Sequence, residues 1–309
     1  MTSSPRTLHT ADGSNTGAFA PLDWALVGAL SLIWGSSFLW TSIGLDSLDP
    51  ASIGLLRVIL GAGILWLLPS SRRRVARDAW PAIVVVAIAG NAAPAILLPL
   101  AQQRVDSSIA GMLIAATPLA TLLVSVMMLR RSPGRRHVFG LFVGFVGVGF
   151  MAAPNLTGSD AQPLGIALLF LVILGFGVSN NLLVPLQQKY GAAAIIARAL
   201  AISVLLLMPL GVPSLAGSEP TRASLGAVLL LGIFATGIAR TLNTMVVGRN
   251  GATRGAIVAY LIPIVAIILG VVFRDEIVGR LELVGTATVL VGAFLVSRAQ
   301  TPKAVSGKK

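Results

Sequence analysis

Residues 72–101 read RRRVARDAWPAIVVVAIAGNAAPAILLPLA. Four arginines come first, and from Ala79 to Ala101 the chain carries no charged residue. A helix needs about 20 apolar residues to cross the hydrocarbon core of a bilayer. A cluster of Lys and Arg beside such a run is typical of the cytoplasmic end of a transmembrane helix. This segment therefore predicts a membrane helix that starts at the cytoplasmic face.

Similar apolar runs recur along the whole chain, separated by short polar breaks. They predict about ten spans: Trp24–Leu45, Ala51–Pro69, Ala79–Ala101, Ser107–Leu129, Val138–Ala153, Leu164–Val184, Ala192–Val212, Ala223–Val247, Gly255–Phe273 and Leu281–Ser297. The runs are continuous, whereas the strands of a membrane barrel would alternate in short segments. The predicted fold class is an all-α integral membrane protein.

The composition supports lipid as the main solvent. Hydrophobic residues make up 55% of the chain, charged residues 11%, and mean hydropathy is +0.88. A net charge of +12 would suggest nucleic acid in a soluble protein. Here the basic residues lie between apolar runs, so no nucleic-acid partner is expected. The chain has no Cys, and both His residues lie outside the predicted spans. We therefore expect no metal and no cofactor.

The positions of Lys and Arg predict the orientation. With an inside N-terminus, the inner segments hold Arg6, Arg72, Arg73, Arg74, Arg77, Arg130, Arg131, Arg135, Arg136, Lys189, Arg249, Arg254, Arg298, Lys303, Lys308 and Lys309. The outer loops hold only Arg104, Arg222, Arg274 and Arg280. Basic residues favour the cytoplasmic side of membrane proteins. We expect a multi-pass protein of the plasma membrane with both termini in the cytoplasm.

The chain also repeats itself. A shift of 145 residues places Pro118 on Pro263, and also matches Arg135 with Arg280, Gly140 with Gly285 and Gly147 with Gly292. A shift of 141 places Arg57 on Arg198. Because five is odd, a second copy of five helices must enter the membrane from the opposite side. The basic loop Arg130–Arg136 and its formally neutral counterpart Arg274–Arg280 fit this reversal.

This pattern predicts two inverted five-helix repeats, an arrangement typical of transporters. The expected organisation is a disordered tail over 1–20, a first repeat over 21–153, an external linker over 154–163, a second repeat over 164–298 and a basic tail over 299–309. The stripe Gly140, Gly144 and Gly147 is expected to pack against another helix.

Several of these residues resemble a known family. Trp34-Gly35-Ser36-Ser37-Phe38, Arg57 and Thr117-Pro118-Leu119 are similar to motifs of the EamA-type family, within the drug/metabolite transporter superfamily. In the second copy the resemblance continues through Pro263, Asp275-Glu276, Gly285 and Gly292. It covers the chain from about Trp24 to Ser297 and implies a ten-helix transporter with a central cavity, often an exporter of amino acids or other metabolites. The acidic residue that the family has after the fourth span is replaced here by Arg130 and Arg131.

Polar side chains inside membrane helices are the first candidates for a transport site. The cavity candidates are Trp34, Ser36, Ser37, Asn91, Thr117, Asn180, Asn181, Arg240, Asn243 and Tyr260. Asn91, Asn180 and Asn181 are favoured over the hydroxyls, which can bond to their own helix backbone. Arg240 could meet a substrate carboxylate or hold the fold. For Arg57 and Arg198 a structural or gating role is favoured, through snorkelling or bonds to helix-end carbonyls.

Three prolines fall in the middle of predicted spans and are candidate hinges: Pro94, Pro118 and Pro263. Proline removes a backbone donor and bends a helix. Asp23, Asp275 and Glu276 lie at span ends or in loops and are expected to cap helices. No acidic residue falls within a span of secure bounds, so a proton relay is not expected.

These features favour a secondary transporter of a small polar or amphipathic metabolite, such as an amino acid, working by alternating access and facilitated transport or exchange. Export is favoured, and a monomer in membrane lipid is expected. A flippase for a lipid or lipid-linked head group is the alternative, since Arg57 or Arg240 could bind the head group. A membrane enzyme is disfavoured, because the chain offers no nucleophile–base pair or metal cluster.

Overall fold

The computed structural model describes residues 20–129, 135–155, 162–255, 258–259 and 261–297. Within these ranges every regular element is helical. In chain order the helices are α1 (Pro21–Leu45), α2 (Pro50–Trp66), α3 (Trp80–Ala87), α4 (Ala93–Gln102), α5 (Ser107–Ile114), α6 (Thr117–Leu129), α7 (Arg135–Ala152), α8 (Pro163–Tyr190), α9 (Ala192–Ala216), α10 (Arg222–Leu230), α11 (Ala239–Asn250), α12 (Ala252–Gly255), α13 (Ile262–Arg274) and α14 (Arg280–Ser297). Residues 1–19 and 299–309 of the predicted tails and most of the linker lie outside the described residues.

Each predicted span has a helical counterpart in the structure. Six helical segments are long and apolar enough to cross a bilayer: Pro21–Leu45, Arg77–Gln102, Ser107–Met128, Pro163–Tyr190, Ala192–Ala216 and Arg222–Asn250. Three shorter apolar helices are Pro50–Trp66, Phe142–Met151 and Ile262–Arg274. The last predicted span is α14, whose first turn carries Arg280 and Glu282. Length and composition alone thus support six crossings among the described residues.

Two spans at matching positions of the two halves are interrupted by π-helix. Residues Ile88–Ala92 form a π-helical turn between α3 and α4, and Leu231–Ile238 form a longer one between α10 and α11. A π-helical turn inserts an extra residue into the helix and is common at functional sites. Both predicted spans therefore change their helical register in mid-membrane.

The three candidate hinge prolines occupy the same place in three helices. Pro94, Pro118 and Pro263 are each the second residue of a helix, α4, α6 and α13. Each of these helices restarts after an interruption: the first π-helical turn, the turn at Ala115–Ala116, and the segment before Ile262. At Pro118 and Pro263, which follow a break in the helix, the missing N–H has no partner anyway, whereas Pro94 lies within the continuous helical segment Arg77–Gln102. Bending at these points stays a prediction.

Equivalent helices of the two halves pack against each other in opposite directions. The Oγ atoms of Ser52 near the start of α2 and Ser214 near the end of α9 are 2.9 Å apart. Gly147 of α7 approaches the backbone of Gly285 and Val289 in α14. Antiparallel contact between equivalent helices is what a two-fold axis in the membrane plane requires, as in inverted repeats. The glycine stripe of α7 therefore packs against α14, as predicted.

The first helices of the two halves, α1 and α8, have equivalent neighbours, as a two-fold axis requires. Helix α1 packs against α13 and against α10–α11, while its equivalent α8 packs against α6 and against α3–α4. Each half thus encloses the first helix of the other half. This arrangement leaves a cavity between the halves, walled by residues from both.

Two buried acidic residues lie in the first turns of helices. Asp23 lies in the first turn of α1 and Glu282 in the first turn of α14. Asp23 accepts a 3.0 Å hydrogen bond from the backbone N of Ala20 and pairs with Arg249 at 3.2 Å. Helix α1 therefore begins earlier than its apolar run does, because a buried first turn can hold a capping carboxylate.

Candidate functional site

The cavity between the halves contains most of the predicted site residues. Its wall is formed by Trp34, Ser37, Phe38, Arg57, Gly90, Asn91, Pro94, Ala95, Leu98, Ile114, Thr117, Phe176, Asn180, Ala235, Thr236, Arg240, Asn243, Val258, Ala259 and Ile262. Both π-helical turns contribute to this wall, through Asn91 in the first half and Thr236 in the second. The interrupted helices therefore border the cavity on one side, while Ile88 and Phe234 of the same turns are exposed.

Two predicted cavity residues lie away from it. Asn181 donates from Nδ2 to the carbonyl oxygens of Thr121 at 3.0 Å and Gly177 at 2.8 Å, so its amide ties α8 to α6. Ser36 donates from Oγ to the carbonyl of Ile33 at 3.1 Å, within its own helix. Tyr260 lies outside the described residues.

The hydroxyls that do reach the cavity wall are already satisfied locally. Ser37 donates to the carbonyl of Trp34 at 2.6 Å, and Thr117 donates to that of Ile114, also at 2.6 Å. Such back-bonding within a helix satisfies the hydroxyl hydrogen and leaves the oxygen lone pairs as acceptors. These two residues can therefore accept a hydrogen bond from a solute.

Arg240 is the most unusual side chain of the wall. It is 8% exposed, its Nε donates to Oδ1 of Asn91 at 3.1 Å, and its guanidinium lies 5.1 Å from the ring centroid of Phe176. Asn91 is itself held by a 3.0 Å bond from Nδ2 to the carbonyl of Val86. The Nη2 atom of Arg240 is buried without a hydrogen-bond partner among the described residues. An unsatisfied buried donor on a charged group is costly, which makes this atom a candidate ligand contact.

Arg57 combines a structural contact with a place on the cavity wall. Its Nε donates to Oγ1 of Thr236 in the π-helical turn of the other half, at 3.0 Å, and the residue lines the cavity. In this bond the guanidinium meets a hydroxyl across the interface between the halves, not a helix-end carbonyl. The cavity thus receives a second cation.

Arg198, the repeat equivalent of Arg57, has the structural contacts that were expected for both. Its Nη1 donates to the carbonyls of Ser71 at 2.9 Å and Ala194 at 2.8 Å, and its Nη2 to that of Arg73 at 2.6 Å. The guanidinium therefore fixes the loop after α2 onto α9. Repeat-equivalent arginines serve different contacts in the two halves.

Aromatic rings form the apolar part of the wall, and one of them also bonds to it. Trp34 donates from Nε1 to the carbonyl of Ala235 at 3.0 Å, an oxygen within the second π-helical turn. Phe38 and Phe176 complete the aromatic surface. Phe38, Phe176 and Thr236 were not predicted as site residues. Their sequence signals are weak, because Phe176 is an aromatic residue next to Gly177 and Thr236 is a hydroxyl within an apolar run.

None of the described residues that line the cavity is acidic. Two described carboxylates near the halves' interface are engaged elsewhere: Asp46 pairs with Arg274 at 2.8 Å, and Glu276 accepts from the backbone N atoms of Ser107 and Ser108, both at 2.8 Å. The capping predicted for Asp23 and Glu276 is confirmed, although Glu276 caps a helix of the other half. Over the part of the chain that the structure describes, no cluster of His, Cys, Asp and Glu could hold a metal ion.

Known proteins match the chain over nearly its whole length. The model of the EamA-like transporter family matches residues 23–153 and again 163–298. A probable terminal-alkyne amino-acid exporter of Streptantibioticus cattleyicolor is 25% identical over 89% of this chain and 93% of its own length. The uncharacterized inner membrane transporter YedA of Escherichia coli is 25% identical over 90% of each chain.

More distant matches extend the comparison. An uncharacterized transporter of Archaeoglobus fulgidus is 22% identical over 89% of this chain and 98% of its own. A solved crystal structure superimposes with a TM-score of 0.67 at 18% identity, covering 89% of this chain and 97% of that one. At this identity the superposition establishes a shared fold.

Proposed function

Because the chain belongs to the EamA-like transporter family, we propose that it is a secondary carrier that exports a small polar or amphipathic metabolite, such as an amino acid, from the cell by alternating access. The observation that carries the proposal is the cavity itself, which holds Asn91, Asn180 and Arg240 between two halves packed in opposite directions. Two halves related in this way can exchange roles, so that the same cavity faces each side of the membrane in turn.

The charges around the cavity support facilitated transport or exchange. A proton-coupled carrier generally needs an ionisable relay near its site. The ionisable side chains of the described wall are arginines, and its other polar groups include amides. Asp23 and Asp46 form ion pairs outside the wall. The basic residues of the predicted inner segments support a plasma-membrane location with both termini in the cytoplasm.

The test is flux in proteoliposomes that contain the full chain. We expect saturable flux of at least one solute from a panel of amino acids, N-acylated amino acids and monocarboxylates, unchanged by an imposed pH gradient. Ala235→Phe should abolish this flux, because Ala235 lines the cavity, whereas Ala29→Phe should preserve it, because Ala29 is exposed on α1. Strong acceleration by the gradient that survives neutralisation of Asp23, Asp275 and Glu276 in turn would contradict the mechanism.

A flippase for a lipid or lipid-linked head group is the second candidate, because Arg57 and Arg240 could bind an anionic head group. The same vesicles separate the two functions. Translocation of a long-chain lipid without saturable flux of a water-soluble solute would favour the flippase.

A further inference from the structure

We propose that the solute carries a net negative charge: one carboxylate, bound between Arg240 and Arg57, on an apolar body that lies against the aromatic wall. The proposal rests on the cavity being the transport site. It narrows the small amphipathic metabolites of the proposed function to anions, so that zwitterionic amino acids are not expected as solutes, and it names the atoms that recognise the solute.

The first step is the charge balance of the cavity. Arg240 and Arg57 both line it, and none of the described lining residues is acidic. Taking a cation out of water costs several kcal/mol unless an opposite charge accompanies it. Among the described residues the wall supplies no such charge, so we expect the counter-charge to arrive with the solute.

The second step is the geometry of Arg240. One bond from Nε to Asn91 and the contact with the ring of Phe176 fix the plane of the guanidinium. Nη2 is left buried without a partner among the described residues. A guanidinium held in this way is preorganised for a carboxylate, which accepts charge-assisted hydrogen bonds from it.

Other charge types fit this wall less well. An organic cation or the ammonium of a zwitterion would lie near two arginines, and the described wall offers it oxygens and aromatic rings but no carboxylate. A solute with several charges would leave some of them against Trp34, Phe38, Phe176 and aliphatic side chains. A monocarboxylate with an apolar body fits both parts of the wall.

A net negative solute also has a driving force. The cell interior is electrically negative, and moving one charge across 100 mV changes its free energy by about 2.3 kcal/mol. An anion is therefore driven outward by the membrane potential alone. Export needs no proton relay, which agrees with the absence of a carboxylate from the described wall.

The binding test uses a series of aryl and straight-chain monocarboxylates, beginning with 3-phenylpropanoate, each paired with its primary amide. Isothermal titration of the full chain in nanodiscs should show the acids binding at least about tenfold more tightly than their amides, a difference of about 1.4 kcal/mol. Arg240→Gln should bind acid and amide alike, and Arg240→Lys should keep part of the preference. Arg222→Gln, which removes an exposed arginine outside the cavity, should behave as the wild type.

Equal binding of acids and amides by the wild type, no binding of any acid, or an acid preference that survives in Arg240→Gln would overturn the proposal. Flux separates this proposal from the general one. Efflux of 3-phenylpropanoate from proteoliposomes should rise when valinomycin and a potassium gradient make the interior negative. Selective binding without any flux would reject the carrier function and leave the anion site. Saturable flux of acid and amide alike that does not depend on the membrane potential would support the carrier function and reject the proposal of an anionic solute.

Discussion

The Nε atom of Arg240 donates a 3.1 Å hydrogen bond to Oδ1 of Asn91, so an amide of the first half orients a cation of the second half. Asn91 lies in one π-helical turn, and Arg240 is the second residue of the helix that follows the other. Both interruptions therefore meet at the contact that presents the cation to the cavity.

Asn91→Asp should convert this hydrogen bond into an ion pair. The new carboxylate would compete with a bound solute for Arg240, so we expect the affinity for monocarboxylates to fall by about tenfold or more. Titration in nanodiscs measures the change. Asn91→Ser removes the amide without adding charge and should have a smaller effect. An equal loss in both variants would show that orientation, not charge, is what Asn91 provides.

Glu276→Gln should weaken the contact between the halves at α5. Glu276 accepts two backbone hydrogen bonds at the start of that helix, where the peptide dipoles favour a negative charge. We expect the free energy of unfolding to fall by about 1.5–3 kcal/mol, as for hydrogen bonds to a charged group. Denaturant titration followed by tryptophan fluorescence measures it. The neighbouring exposed Asp275→Asn should change little, and a similar loss there would contradict the assignment.

Asp106, which lies between α4 and α5, should make stability depend on pH. Partial desolvation, followed by the charges of Glu276 and Glu282, raises the pKa of Asp106. A raised pKa in the folded state means that ionisation opposes folding, so the stabilisation is present at acid pH and is lost as pH rises through the folded pKa.

Asp106→Asn removes this ionisation. The variant should melt above the wild type at pH 7.5, and the difference should shrink as pH falls towards 4. Melting curves across that range decide the matter. A difference that grows on acidification would reverse the sign and reject the explanation.

Gly147→Ala should disturb the contact between α7 and α14. A Cβ at this position would lie 2.6 Å from the backbone N of Val289 and 2.7 Å from the carbonyl oxygen of Gly285, and neither backbone atom can move aside easily. Overpacking of this kind costs about 1–3 kcal/mol. Gly149→Ala on the same helix meets nothing within 4 Å and is the matched control. Equal melting temperatures for the two variants would contradict the packing described here.

The orientation can be tested with single cysteines, because the chain contains none of its own. Ser70 and Ile277 are exposed, in the loops after α2 and α13. In intact cells an impermeant maleimide should label Ile277→Cys and leave Ser70→Cys unlabelled until the cells are opened. Labelling of both from the same side would rule out the inverted arrangement.

The fold could be predicted from sequence because lipid imposes long apolar runs and a basic cytoplasmic face. The π-helical turns could not be predicted, because nothing in the composition of Ile88–Ala92 distinguishes a π-helix from an α-helix. Their effect appears only in the register of the residues that follow.

The site was predicted less completely. Asn180 and Asn181 are adjacent in sequence, but neighbours on a helix point about 100° apart, and only Asn180 reaches the cavity. Arg57 and Arg198 match in the repeat, yet their partners come from opposite halves and differ in kind. Composition identifies polar residues in a membrane helix, whereas the partner across the interface decides what each of them does.

Glycine lines the contact between α7 and α14, and it brings backbone against backbone. Because this interface has few side chains that could change rotamer, any sliding or tilting of one helix on the other would bring backbone atoms into steric clash. We expect α7 and α14 to stay fixed relative to each other during transport, while α4, α6 and α13 around the cavity move. Such a carrier would switch between its inward-open and outward-open states without separating α7 from α14.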